Sequence, residues 1–196
     1  MPILILILAY LFIGLIAGFI GGLLGIGGGV ITVPSFFVLF YLYGYPKNDL
    51  LSYSIGTSLA VMMINTFSST WSQHQLQNVK WDVFRKMALG LVLGSLLGAF
   101  VASWLPEKIL EIFFGIFLCI LSVIFHREKL PIFNISENMN FILLKSTSFI
   151  TGILSSLLGI GGGILTVPLL ISIKIPVKNA MGTSSSITLL VSFIGT

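Results

Sequence analysis

Charge is scarce in this sequence. Asp, Glu, Lys and Arg make up 8% of its 196 residues, against 56% hydrophobic residues and a mean hydropathy of +1.09. A soluble domain carries roughly a quarter charged residues to cover its surface. This chain cannot do so, and lipid must be the solvent for much of it. In lipid every backbone N–H and C=O needs an internal partner, which leaves helices or closed barrels. Barrel strands alternate apolar and polar residues. That alternation is missing here, and runs such as Pro2–Ile20 are apolar throughout, so helices are expected.

Other absences exclude chemistries. A single cysteine, Cys119, rules out an intrachain disulfide and a cysteine-based metal cluster. The acidic residues Asp49, Asp82, Glu107, Glu111, Glu128 and Glu137 all fall near segment ends. An acidic relay for cations or protons would need carboxylates at span centres. His74 and His126 are not at metal-ligand spacing, and His74 reads as a solvated loop histidine. The glycine clusters lack the Lys-Ser/Thr of a nucleotide loop. No serine elbow is present. We expect no enzyme activity, no cofactor and no metal site. The net charge of +4 comes without a basic run interleaved with aromatics, so nucleic acid is not an expected partner.

Eight apolar segments are legible: Ile3–Leu24, Val30–Leu42, Tyr53–Trp71, Val83–Trp104, Ile109–Phe125, Phe141–Leu158, Ile164–Ile173 and Met181–Thr196. The first has no basic residue before it and runs too long for a signal peptide, so it is read as a retained membrane helix. Trp71, Trp81 and Trp104 stand where aromatic belts would.

An internal repeat organises these segments. Residues 23–34 and 157–168 agree at ten of twelve positions, both reading Leu-Leu-Gly-Ile-Gly-Gly-Gly, then two aliphatic residues, then Thr-Val-Pro. Downstream, Gly56-Thr57-Ser58 is echoed by Gly182-Thr183-Ser184. The chain therefore divides into a first transmembrane repeat (1–125), a connecting loop (126–140) and a second repeat (141–196). The second is expected to be incomplete, by roughly two helices. Residues 2–44 would make about 64 Å of helix, too long for one span. Each glycine break is thus expected to join two segments that return to the starting side. On that count eight of the ten Lys and Arg residues share one side, and only Lys47 and Lys108 lie on the other. The positive-inside rule then places the N-terminus outside, in a multi-pass protein of the cytoplasmic membrane. The two repeats are expected to be inverted.

Glycine costs a helix interior about 1 kcal/mol relative to Ala. Four in five residues should break it, at Gly25, Gly27, Gly28 and Gly29 and again at Gly159, Gly161, Gly162 and Gly163. A helix that restarts after such a break presents free N–H groups, which attract anions. Broken helices at matching places in two halves mark transporter sites, although glycines also serve close helix packing. Gly14, Gly18 and Gly22, like Gly90, Gly94 and Gly98, fit the packing role. Thr32 and Thr166 follow the breaks. Their hydroxyls either meet a ligand or bond back to a carbonyl one turn earlier. Thr57, Ser58, Thr183 and Ser184 either meet a ligand or cap helix starts. Asn65 is read chiefly as interhelical glue.

The doubled motif, Gly21-Gly22-Leu23-Leu24-Gly25-Ile26-Gly27-Gly28-Gly29 with Thr32-Val33-Pro34 and a later Gly-Thr-Ser, resembles the sulfite exporter TauE/SafE family of bacterial permeases. The resemblance implies transport of small anions, sulfur-containing or carboxylated, such as sulfite or sulfonates. It departs from the family in its early end and in Ser155-Ser156, which stand where the first half has Gly21-Gly22. Expected partners are the lipid bilayer and a small anionic solute, with a homo-oligomer left open. A metal-ion permease and a non-transporting membrane scaffold are the alternatives.

Overall fold

The computed structural model describes residues 3–24, 27–47, 49–126 and 141–196. Gly25 lies outside the described residues, as does the expected connecting loop 126–140 beyond His126, which ends α5. The described residues form eight helices: α1 (Ile3–Leu24), α2 (Gly29–Leu42), α3 (Leu50–Gln75), α4 (Trp81–Trp104), α5 (Glu107–His126), α6 (Phe141–Leu157), α7 (Gly163–Ser172) and α8 (Val177–Gly195). Each overlaps one of the eight apolar segments, α3 and α8 starting earlier than expected, at Leu50 and Val177, and no strand occurs among the described residues. The fold is all-α.

Helix lengths separate two roles. α3 and α4, of 26 and 24 residues, are each long and apolar enough to cross a membrane. α2 has 14 residues and α7 has 10, about 21 and 15 Å of helix, short of a hydrocarbon core of about 30 Å. The glycine clusters do break the chain, between α1 and α2 and between α6 and α7. Pro34 and Pro168 fall in the second turn of these short helices, where each removes one intrahelical hydrogen bond.

α4 and α6 pack side by side and parallel. A Cβ added at Gly90 would stand 2.7 Å from the Lys145 carbonyl oxygen, and one at Gly98 would stand 2.5 Å from that of Ile153. Gly94 meets Phe149 between them, and from α6 Gly152 meets the Leu91 carbonyl at 2.7 Å. The glycines let two backbones touch, as small residues do in membrane helix pairs. α3 and α8 run antiparallel: Ser69 Oγ donates to Ser185 Oγ at 3.2 Å, while Gly195 comes against Leu59 near the other end of the pair.

Polar contacts close the two ends of the bundle. At one end Asn179 Nδ2 donates to the Asn78 carbonyl at 3.1 Å, and Lys80 N–H donates to Thr183 Oγ1 at 2.9 Å. This end carries Lys80, Arg85, Lys86, Lys174 and Lys178, with Lys145 beside Gly90. At the other end Glu107 accepts from the Leu51 N–H and, at 2.9 Å, from Ser52 Oγ. It caps the start of α3, which Asp49 does not. Lys47, Lys108, Glu107 and Glu111 line one shallow depression there.

Candidate functional site

The two glycine breaks meet each other. A Cβ added at Gly29 would lie 2.6 Å from Ile160 Cα and 2.7 Å from the Gly159 carbonyl oxygen. Gly27 and Gly161 approach the same two side chains. Added Cβ atoms there would stand 2.5 and 2.6 Å from Thr188 Cγ2 and 3.3 and 3.0 Å from Met62 Sδ. Met62 is the thirteenth of the 26 residues of α3, so the crossing sits at the middle of a full span. Gly27, Gly28, Gly159, Gly161 and Gly162 all have positive φ, from 68° to 83°. L side chains are disfavoured there by about 1–2 kcal/mol. The geometry thus demands glycine twice over, by backbone angle and by space.

α2 and α7 each start immediately after a left-handed glycine, Gly28 and Gly162, and neither start has a side-chain cap. From the crossing they run in opposite directions, α2 toward the Lys47 end and α7 toward the Lys174 end. The positive ends of both helix dipoles therefore converge at mid-depth.

Each start is flanked by a buried hydroxyl pair. Thr32 Oγ1 lies 2.6 Å from Ser58 Oγ, and Thr166 Oγ1 lies 2.8 Å from Ser184 Oγ. These are the same two positions of the repeated motifs. Ser58 also donates across the halves to the Gly159 carbonyl at 3.1 Å. The back-bonds of Thr32 to the Gly28 and Gly29 carbonyls are long, at 3.4 Å, whereas Thr166 reaches the Gly162 carbonyl at 3.0 Å. In the second half Ser155, Ser156 and Ser192 are also buried, and their hydroxyls make no hydrogen bond among the described residues. Ser155 Oγ faces Gly162, 3.0 Å from where its Cβ would be.

The structure brings Gly27, Gly28, Gly29, Thr32 and Ser58 together with Gly159, Gly161, Gly162, Gly163, Thr166 and Ser184. It does not bring Thr57 and Thr183 to the breaks. Thr57 Oγ1 donates to the Tyr53 carbonyl at 2.7 Å, and Thr183 holds the loop before α4. None of the four hydroxyl residues caps its own helix: α3 starts at Leu50 and α8 at Val177. Asn65 packs against Gly18 of α1, its Oδ1 3.1 Å from an added Cβ, an interhelical position. Exposed His74 accepts from Trp81 Nε1 at 3.2 Å at the end of α3. Among the described residues no three His, Cys, Asp or Glu side chains converge on a metal-sized site. Sequence reasoning missed Met62 and Thr188. The signal was available, because the two residues are separated by the same 126 positions as the Gly-Thr-Ser echoes.

Comparison with known proteins places this arrangement. The chain is 36% identical over 188 residues to a probable membrane transporter protein of Methanocaldococcus jannaschii, across 93% of this chain and 68% of that protein. It is 34% identical to one of Haemophilus influenzae, across 96% and 72%. It is 30% identical to the probable membrane transporter YunE of Bacillus subtilis, across 93% and 74%. No solved structure matches. The sequence model of the sulfite exporter TauE/SafE family matches residues 10–196, and this chain, an integral membrane protein of the transporter type, belongs to that family.

Proposed function

We propose that the chain acts in a permease for small anions, sulfur-containing or carboxylated, which bind between the two glycine breaks. The observation that carries this reading is the convergence of two uncapped helix starts at mid-depth, each beside a buried hydroxyl pair. A charge at a bilayer centre costs at least about 2.5 kcal/mol even on the lenient insertion scale. A passing anion needs replacements for its lost water, and N–H groups and hydroxyls are what this depth offers. The dipoles present their positive ends, which favours anions over cations. Thr32, Ser58, Thr166 and Ser184 are the side chains assigned to the site. Ser155, whose Oγ faces Gly162, adds a further hydroxyl beside the second break. The breaks touch, so a solute passes only when the halves separate. The antiparallel course of α3 and α8, which carry equivalent motifs, supports inverted repeats that alternate in this way.

The test is transport by the full-length protein in proteoliposomes offered sulfite, a sulfonate, a short carboxylate, nickel and cobalt. Anion flux is expected. Ser58→Ala should lower it by roughly fivefold or more, because a buried partner left unsatisfied costs about 1–3 kcal/mol. Ser103→Ala, on an exposed face, should not change it. Movement of nickel or cobalt with no anion flux would replace this reading by the metal-ion one, and no flux of any solute would favour the scaffold.

The same reading places the N-terminus outside. After Cys119→Ser, a cysteine at Gln75 is expected to be labelled only from the cytoplasmic side and one at Lys47 only from outside. The reverse pattern in intact cells would overturn the orientation.

A further inference from the structure

A hydroxyl buried in an apolar helix commonly donates to the carbonyl one turn back. On α6 Ser148 does so, to Leu144 at 2.5 Å, and on α3 Ser54 and Thr66 do the same. Ser155 and Ser156, adjacent on α6 and each 1% exposed, do not, and neither hydroxyl has a partner among the described residues. Their surroundings differ. Ser156 Oγ turns to the end of α8, 2.9 Å from an added Cβ at Gly195. Ser155 Oγ turns to Gly162, the left-handed residue from which α7 starts. A buried donor without an acceptor is destabilising, and this one stands beside a helix start with further unused donors. The Gly162 carbonyl takes the N–H groups of Leu165 and Thr166, while those of Gly163 and Ile164 have no acceptor among the described residues.

The first break has no such place. Gly21 stands there at the position of Ser155, and a Cβ added to it would lie 2.7 Å from the Gly28 nitrogen. A Cβ added at Gly28 would lie 2.7 Å from the Ala17 carbonyl oxygen of α1. That break is closed by backbone on backbone. Beside Gly162 the atoms nearest an added Cβ are those of Ser155 itself, and the next is Ile187 Cγ2 at 3.9 Å. Of the two breaks, the second holds both a free donor side chain and the room for it.

We propose that the solute rests at the second break, and that it is a monovalent oxyanion. One of its oxygens takes the N–H groups of Gly163 and Ile164, and another takes the Ser155 hydroxyl. The charge follows from what can balance it. Each helix start carries about half a positive charge, and the two starts meet here. α1, α2, α3 and α7 contain no Lys or Arg, and α8 has only Lys178 at its start. The two dipole ends together match one negative charge. A second would stand uncompensated at the bilayer centre, where charge is costly. This rests on the anion reading above and narrows it to solutes of the sulfonate, hydrogensulfite or monocarboxylate kind, against sulfate and dicarboxylates.

The test uses the full-length protein in proteoliposomes, with methanesulfonate as the probe and sulfate, of similar shape and twice the charge, as the competitor. Methanesulfonate flux is expected, and sulfate should compete at least about tenfold more weakly than unlabelled methanesulfonate. Ser155→Ala should raise the concentration for half-maximal flux about tenfold, the worth of a hydrogen bond to a charged group. Ser155→Thr, which keeps the hydroxyl, should largely restore it. The unfolding temperature of Ser155→Ala should not fall, since the lost hydroxyl held nothing within the protein. Ser156→Ala, the same chemistry turned the other way, should leave the half-maximal concentration unchanged. Flux indifferent to Ser155→Ala, or equally sensitive to Ser156→Ala, overturns the resting place while the anion reading stands. A lower unfolding temperature with an unmoved half-maximal concentration makes Ser155 a structural residue and overturns it too. Equal competition by sulfate overturns the monovalent assignment. No flux of methanesulfonate, sulfite or a carboxylate overturns the anion reading and this proposal together.

Discussion

Gly28→Leu is expected to abolish transport while the full-length protein still inserts in the membrane. Two costs add at this position. Its φ of +81° is one that an L residue adopts at about 1–2 kcal/mol. An added Cβ would also stand 2.7 Å from the Ala17 carbonyl oxygen. That atom belongs to the backbone of α1 and cannot rotate away. The α2 start would have to move, and with it the crossing. A shift in geometry worth about 3 kcal/mol is about a hundredfold in an equilibrium. The corresponding change in the second half should be milder. Gly162 has the same backbone angle, φ +83°, but the nearest atom to its added Cβ is Ser155 Oγ at 3.0 Å, which can turn aside. Gly162→Ala is therefore expected to retain measurable flux where Gly28→Ala retains little, and Ser155→Gly should partly rescue Gly162→Ala. Flux and unfolding temperature, measured on the same preparations, check this. Equal damage from the two alanine variants would show that backbone angle, and not the space behind it, sets the requirement.

Gly94→Leu should have the largest effect on assembly. Here the backbone is ordinary helix, and only space is at stake. Gly94 sits at the centre of the α4–α6 seam, against the backbone of Phe149, with Gly90 and Gly98 one turn away on either side. Overpacking a well-fitted interface costs about 1–3 kcal/mol, and a leucine here must displace backbone, which puts it at the upper limit. α4 would lift from α6 and expose Met87 and Leu91, both fully buried. A marked fall in folded yield and in unfolding temperature is expected. Gly115→Leu on α5 is the control: nothing lies within 4 Å of its added Cβ. If the two variants unfold at the same temperature, the seam does not hold the bundle together.

Much of this was legible in one dimension. Apolar runs bounded by Gly-Tyr-Pro and Leu-Pro-Glu located α2 to α5, because in lipid a backbone must close its own hydrogen bonds and only helix length is free to vary. The glycine clusters located the breaks for a local reason, the angles and helix cost of glycine. What one dimension could not supply was the partner across each contact. Thr57 and Ser58 are neighbours in sequence with the same chemistry, yet only Ser58 meets a glycine break, because adjacent residues of a helix point about 100° apart. Which of them would face inward depended on where α7 lay. Gly14 and Gly90 likewise begin the same four-residue stripe, but one is open and the other is pressed on α6.

The sequence by itself determined the membrane setting, the eight helices, the two interruptions and the doubled motif, since each follows from composition, local backbone energetics or identity at a fixed offset. Tertiary structure decided that the two interruptions touch at mid-depth, that Met62 and Thr188 are packed against both, and that Thr183 serves a loop. These depend on residues over a hundred positions apart being brought into register, and no local property of the chain encodes that distance.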